Sequence, residues 1–211
     1  MSEVTEIAWF PWKAGSQTSD DAAALKALGP ELQSRPGLVA SYFGHPLERP
    51  QSGEFVNVWS SPTDYINNQS SPLYARLKSL SSSLIDTSDP AVRPYHNAIS
   101  FSKPFSAVAA APIVQVSSFF LPADVDKAAF EAAFKQVLEQ VYGNPPEGFI
   151  AGTNGWALEE VNGSKVFVTA SGWESIEKRV AAHAGIAEKF GEVQKFGAVV
   201  EVHHTAFQKT K

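Results

Sequence analysis

The chain has 211 residues, 44% of them hydrophobic and 18% charged, with 17 Lys and Arg against 22 Asp and Glu for a net charge of −5. It is long enough to bury a real core in one domain or two, and without a Lys/Arg cluster nucleic acid is excluded as an expected partner. The absence of cysteine removes disulfide scaffolds, thiolate metal sites and cysteine nucleophiles together.

The opening segment MSEVTEIAWF holds two glutamates and no basic stretch, so it does not read as a secretory signal. The longest apolar run, Ala107 to Val114, falls far below the roughly 18 residues that a membrane helix needs. A cytoplasmic protein with no membrane partner is the expectation.

In chain order, Val4 to Trp12 reads as an aromatic-rich strand and Asp20 to Leu28 as a helix capped by Thr18 or Ser19. Leu38 to Phe43 and Glu54 to Ser60 read as two strands around a turn-rich GHPLERPQSG, in which His45 belongs to a surface turn. Ser61-Pro62 then opens a polar helical stretch to about Leu84, because proline suits the first helical position. Tyr95 to Phe101 is a fourth strand. The segment 102–111 is rich in small residues and broken by Pro104, which reads as a linker.

The same order then returns. Ile113 to Leu121 is a strand, and Asp124 is placed to cap an amphipathic helix with Phe130, Phe134, Val137 and Val141 inward, stopped at Gly143. Phe149 to Leu158 and Lys165 to Ser171 are strands around Val161-Asn162-Gly163-Ser164, whose Asn-Gly suits a tight hairpin. From Ile176 the apolar positions Val180, Ala184, Ala187 and Phe190 have helical spacing, with Ser171 and Glu174 placed as a capping box. His183 falls inside that stripe and should point inward. A final strand runs from Ala198 to Phe207.

The two halves align on each other. Trp59 and Trp173 close the third strand of each half at an offset of 114, and ten residues beyond them lie Gln69 and His183. Phe101-Ser102-Lys103 matches Phe207-Gln208-Lys209 at an offset of 106, which gives His96 and His204 the same strand parity. Each half is a βαββαβ unit, the ferredoxin-like arrangement with both helices on one face of an antiparallel sheet. The division expected is 1–103, a linker at 104–111, and 112–211. The architecture is α+β, with the two units forming an intramolecular pseudo-dimer that buries the remaining sheet faces.

At this point VWSSPTDYINNQSSPLY from Val58 and GWESIEKRVAAHAGIAEKF from Gly172 resemble the dimeric α+β barrel superfamily, and within it the antibiotic-biosynthesis-monooxygenase family. The resemblance implies a tandem dimeric α+β barrel and a pocket between the sheet and helices of a unit. It also brings in cofactor-independent oxygenases, haem-degrading proteins and stress-related barrels without a clear reaction. Haem-degrading relatives use a tryptophan, a helix histidine and a first-strand asparagine. Trp173 and His183 match the first two, Ser117 and Ser118 stand where the asparagine would be, and Gln69 is a poor axial ligand in the first half.

An oxygenase without metal or flavin needs a base near neutral pKa, a donor for the developing anion and an apolar enclosure. His183 is the base candidate in the second half. Trp173, Trp156 and Asn154 are candidates to line the substrate pocket. His204, of the two adjacent histidines whose side chains point to opposite faces, is the second catalytic candidate, with His96 its counterpart and Trp59 and Gln69 the first-half equivalents. For each, a plain packing role remains the competing reading. The expected partner is a small apolar, aromatic or polyketide-like molecule, with no metal and no cofactor. Haem is the lesser alternative, and a non-enzymatic binding or stress-related barrel the other.

Overall fold

The structure is a computed structural model that describes residues 3–16, 19–86, 88 and 95–211. Contacts divide the chain into two compact units, Met1–Ser100 with Phe207–Lys211, and Phe101–Ala206.

In the first unit, β1 (Val4–Pro11) leads through α1 (Asp20–Ala27) and α2 (Gly29–Gln33) to β2 (Leu38–Gly44) and β3 (Ser52–Trp59). Then follow α3 (Pro62–Gln69), α4 (Pro72–Leu84) and β4 (Tyr95–Phe101). The strands are antiparallel in the order β4-β1-β3-β2, the pairing of a ferredoxin-like unit. Ser19 caps α1 by accepting from the Ala22 N–H at 3.2 Å; the alternative cap, Thr18, lies outside the described residues.

The polar stretch read as one helix to Leu84 is two. Pro72 disfavours helical backbone at Ser71, whose ψ is 149°, and the freed Ser71 hydroxyl caps the new helix by accepting from the Tyr74 N–H at 3.1 Å.

In the second unit, β5 (Ile113–Leu121), α6 (Lys127–Tyr142), β6 (Phe149–Ala157), β7 (Lys165–Trp173), α7 (Ile176–Ala187), α8 (Gly191–Gln194) and β8 (Val199–Thr205) repeat the order. The sheet runs β8-β5-β7-β6, all antiparallel. Asn162 and Gly163 take φ of 50° and 77°, the two positive values of the tight hairpin that their sequence suggested. Asp126 rather than Asp124 caps α6, accepting from the N–H groups of Ala128 and Ala129 at 2.9 and 3.1 Å. Phe130, Phe134, Val137 and Val141 are buried, and with Phe119 and Phe167 they form this unit's core.

Two segments differ from the division expected. Inside 104–111 lies a short helix, α5 (Ser106–Ala109), with Phe105 and Val108 fully buried, so these small residues pack instead of spanning open space. The last residues, including β9 (Gln208–Lys209), cluster with the first unit, where β9 pairs antiparallel with the edge of β2.

The repeat holds at the level of register. Val4 faces Trp59 as Ile113 faces Trp173, and Glu6 faces Asn57 as Gln115 faces Ser171. A bulge between Leu38 and Ala40 recurs between Phe149 and Ala151, at the same place against the partner strand. Before each bulge stands a glycine with positive φ, Gly37 at 76° and Gly148 at 80°. A Cβ on either would lie 2.4 Å from Asp64 or 2.5 Å from Lys178, so glycine is required for close approach as well as for the dihedral.

Candidate functional site

A cavity of about 290 Å³, open on one side, lies in the second unit between the sheet and α7. Its floor is built by period-2 alternation: Ser117 and Phe119 of β5, Thr169 and Ser171 of β7, and Asn154 of β6 project to one face. Val200 and Val202 of β8 add an apolar edge, and Trp173 closes the end of β7.

The matching positions explain why the second unit has this space. By register, Thr169 corresponds to Phe55, Asn154 to Phe43 and Ser117 to Ala8. In the first unit Phe43 and Phe55 lie 4.7 Å apart, and Phe10 reaches Phe55 at 6.3 Å. Replacing two phenylalanines with Thr and Asn removes two rings from the floor.

Helix α7 sits differently from its apolar stripe. Its N-cap is Ser175, which accepts from the Lys178 N–H at 3.3 Å, not Ser171, which lies within β7. Val180 is 62% exposed, and Ala184 and Ala187 are also exposed. The line facing the cavity is Arg179, His183, Ile186 and Phe190, at spacings of three and four. Ala187, the one member of the expected apolar stripe besides Phe190 that also lines the cavity, lies at the edge of that line. His183, expected inward and buried, therefore lines the cavity at its mouth and is exposed to water.

A polar network spans the cavity wall. The Arg179 Nε–H donates to Gln115 Oε1, and Gln115 Nε2 donates to Ser117 Oγ at 2.7 Å. Trp173 is 2% exposed; its indole N–H donates to Ser171 Oγ at 2.9 Å and its ring meets Phe149 edge-on at 5.5 Å. At the start of α7, Glu174 and Glu147 lie 2.6 and 3.1 Å from Lys178 and raise its pKa.

Of the residues singled out by sequence, His183, Trp173 and Asn154 line this cavity together. His204 is buried on β8 opposite Gln115, on the same sheet face but outside the lining. Trp156 packs under α6, 5.1 Å from Phe167, and donates to Glu131 Oε1 at 2.5 Å, while the Lys127 ammonium lies 4.6 Å from its ring centre; its partners are core residues and two charged side chains of α6. Trp59 and Gln69 belong to the first unit. There the Trp59 indole donates to Glu6 Oε2 at 3.0 Å, Arg35 stacks over its ring at 4.8 Å, and Gln69 Nε2 donates to the Tyr65 hydroxyl at 2.5 Å. His96 is on β4 opposite Ala8, and its side chain lies outside the described residues.

Sequence reasoning missed Gln115, Ser171 and Arg179. Only the register that places Gln115 opposite Ser171, with α7 turned toward them, brings the three together.

The residues present fit haem poorly. The cavity lining supplies one imidazole, at the mouth, and the first-strand positions on its floor are Gln115, already accepting from Arg179, and Ser117. Among the described residues no three His, Cys, Asp or Glu converge as metal ligands, and no helix is long and apolar enough to cross a membrane.

No family model and no curated protein matches the sequence. Solved structures do match in fold. An anthrone oxidase-like protein superposes with a TM-score of 0.69 at 11% identity, covering 100% of this chain and 94% of the other. A candidate monooxygenase from Fusobacterium nucleatum gives 0.60 at 10% identity, covering 100% and 93%. A candidate chlorite dismutase gives 0.60 at 11% identity, covering 100% and 96%. At these identities the likeness is one of fold, and with the repeated βαββαβ registers it identifies the chain as a tandem α+β protein of the dimeric α+β barrel fold.

Proposed function

We propose that the second unit is a small-molecule enzyme of the cofactor-independent monooxygenase type, acting on a flat aromatic or polyketide-like substrate. The observation that carries this reading is the apolar-walled cavity with His183 at its mouth and Trp173 in its wall. The fold likeness to proteins named as monooxygenases and anthrone oxidase-like agrees with it.

In this reading His183 takes a proton from an activated methylene or phenol, and the carbanion or phenolate so formed is held between Phe119, Phe134 and Phe190. That anion reduces dioxygen, a carbon–oxygen bond forms, and loss of water leaves a carbonyl, so the substrate methylene and O₂ become a ketone and H₂O. Asn154 and Ser171 supply hydrogen-bond donors to the oxygen that gains charge. Oxygen uptake with an anthrone and hydroquinone panel tests it: wild type consumes oxygen, and His183→Ala does so far more slowly.

The exposure of His183 favours a second reading, in which the cavity binds such molecules without turning them over. That reading requires saturable binding with no oxygen uptake by wild type. A Soret band on hemin titration would replace both with a haem protein.

A further inference from the structure

Resting on the cavity as the ligand site, we propose that it takes a planar ring system by a carbonyl-bearing edge, that of a ketone or quinone, whose oxygen accepts from the hydroxyls of Ser117 and Ser171. Gln115 and Trp173 are the positioning residues that aim those hydroxyls. The direction of each hydrogen bond is forced by its partner. Arg179 has donors and no acceptor, so the atom of Gln115 that it meets is the amide oxygen. The amide nitrogen is then the end that reaches Ser117, whose Oγ accepts from it at 2.7 Å. The Trp173 indole is likewise a donor only, so Ser171 Oγ accepts from it at 2.9 Å. A hydroxyl has one proton to give, and among the described residues neither serine proton meets an acceptor within the chain. Ser117 is 4% exposed, and a buried O–H without an acceptor carries a cost that a ligand oxygen relieves.

The register puts both protons on one floor. Ser171 stands opposite Gln115, two residues before Ser117 on β5, so the serines are diagonal neighbours on the face that lines the cavity. Ser117, Thr169 and Asn154 form a straight polar row across β5, β7 and β6, and the next row, Phe119, Phe167 and Trp156, is aromatic. Phe119 lies 6.0 Å from Phe190 with 8° between the ring planes. A ligand with a polar edge turned to the serines and its rings among Phe119, Phe134 and Phe190 matches both rows. In the first unit the corresponding donors are answered from within: the Trp59 indole and the Asn57 amide each donate to Glu6 Oε2 at 3.0 Å. By register Glu6 corresponds to Gln115, Asn57 to Ser171 and Ala8 to Ser117. The second unit thus has an amide in place of that carboxylate and a hydroxyl in place of a methyl, and a ligand brings the acceptor.

Equilibrium dialysis of the full chain against fluorenone, fluorene and carbazole compares one flat skeleton carrying a carbonyl, a methylene and an N–H. A purely apolar enclosure ranks the hydrocarbon first. Here wild type binds fluorenone about 10-fold or more tightly than fluorene or carbazole, the range of one or two net hydrogen bonds. Ser117→Ala combined with Ser171→Ala brings fluorenone down to the level of fluorene while fluorene binding persists, and the infrared carbonyl stretch of bound fluorenone rises toward its value in a hydrocarbon solvent. Trp173→Phe keeps a ring in the wall but frees the Ser171 oxygen to accept, so carbazole gains on fluorenone, a change of preference that loss of packing alone does not produce. Fluorene bound as tightly as fluorenone by wild type overturns the proposal and leaves the cavity reading intact, as does a preference that survives the double variant. Binding of none of the three overturns both.

Discussion

If the cavity exists because Thr169 stands where the first unit has Phe55, then Thr169→Phe should close it. Moving a phenyl ring fully out of water contributes about 1.5–3 kcal/mol. The cavity is open on one side and Thr169 is only half-buried, so about 1 kcal/mol is the reasonable share, a rise of roughly 2–4 °C in Tm for a chain of this size. The competing effect has the opposite sign. In a filled interior the same ring overpacks and costs about 1–3 kcal/mol. Differential scanning fluorimetry therefore decides by direction alone. Titration with 2-naphthamide supplies the second reading, since a ring on the floor should weaken binding by about tenfold or more, equivalent to ~1.4 kcal/mol of lost contact. A lower Tm together with unchanged ligand affinity would refute the reasoning from register.

His183→Ala should leave stability within about 0.5 kcal/mol, because the imidazole is exposed, while lowering oxygen uptake by roughly 10²- to 10⁴-fold as loss of a general base does. Urea melts and oxygen-electrode rates on one preparation check both halves of that statement. Gly148→Ala places a side chain at a φ of 80° and against Lys178, and should cost about 1–2 kcal/mol or more in a urea melt, whereas Gly29→Ala, with nothing within 4 Å and no positive φ, should not. Asp64 accepts from the hydroxyls of Ser60 and Ser61, which hold its carboxyl below the ordinary range. A depressed folded pKa stabilises the fold above the unfolded value and loses that contribution as pH falls through the folded one. Asp64→Asn should therefore melt below wild type at neutral pH, with the gap closing below about pH 4.

Much of the fold was legible because it depends on local rules. Period-2 alternation, the Asn162-Gly163 turn, Pro62 at a helix start and the α6 stripe of Phe130, Phe134, Val137 and Val141 each act through neighbours in sequence. The repeat was legible for the same reason, since Trp59 and Trp173 end the same strand of two similar units. Cap positions were less so: Asp126 and Ser175, not Asp124 and Ser171, stand directly before the first helical residue, where a side-chain oxygen can reach the free N–H groups.

The candidate site divides along the same line. Sequence alone determined that the chain is two βαββαβ units, and that His183 and Trp173 belong to the second at matching distances from its third strand. Only the tertiary structure decided that α7 turns Arg179 and His183 rather than Val180 and Ala184 toward the sheet, that Trp156 serves the α6 core, and that Gln115 meets Arg179 across 64 residues of chain. The physical reason is that hydrophobic periodicity finds a helix's buried face only where the helix covers a solid core. Over a cavity that constraint is relaxed, and polar side chains such as Arg179 and His183 can take the inward positions.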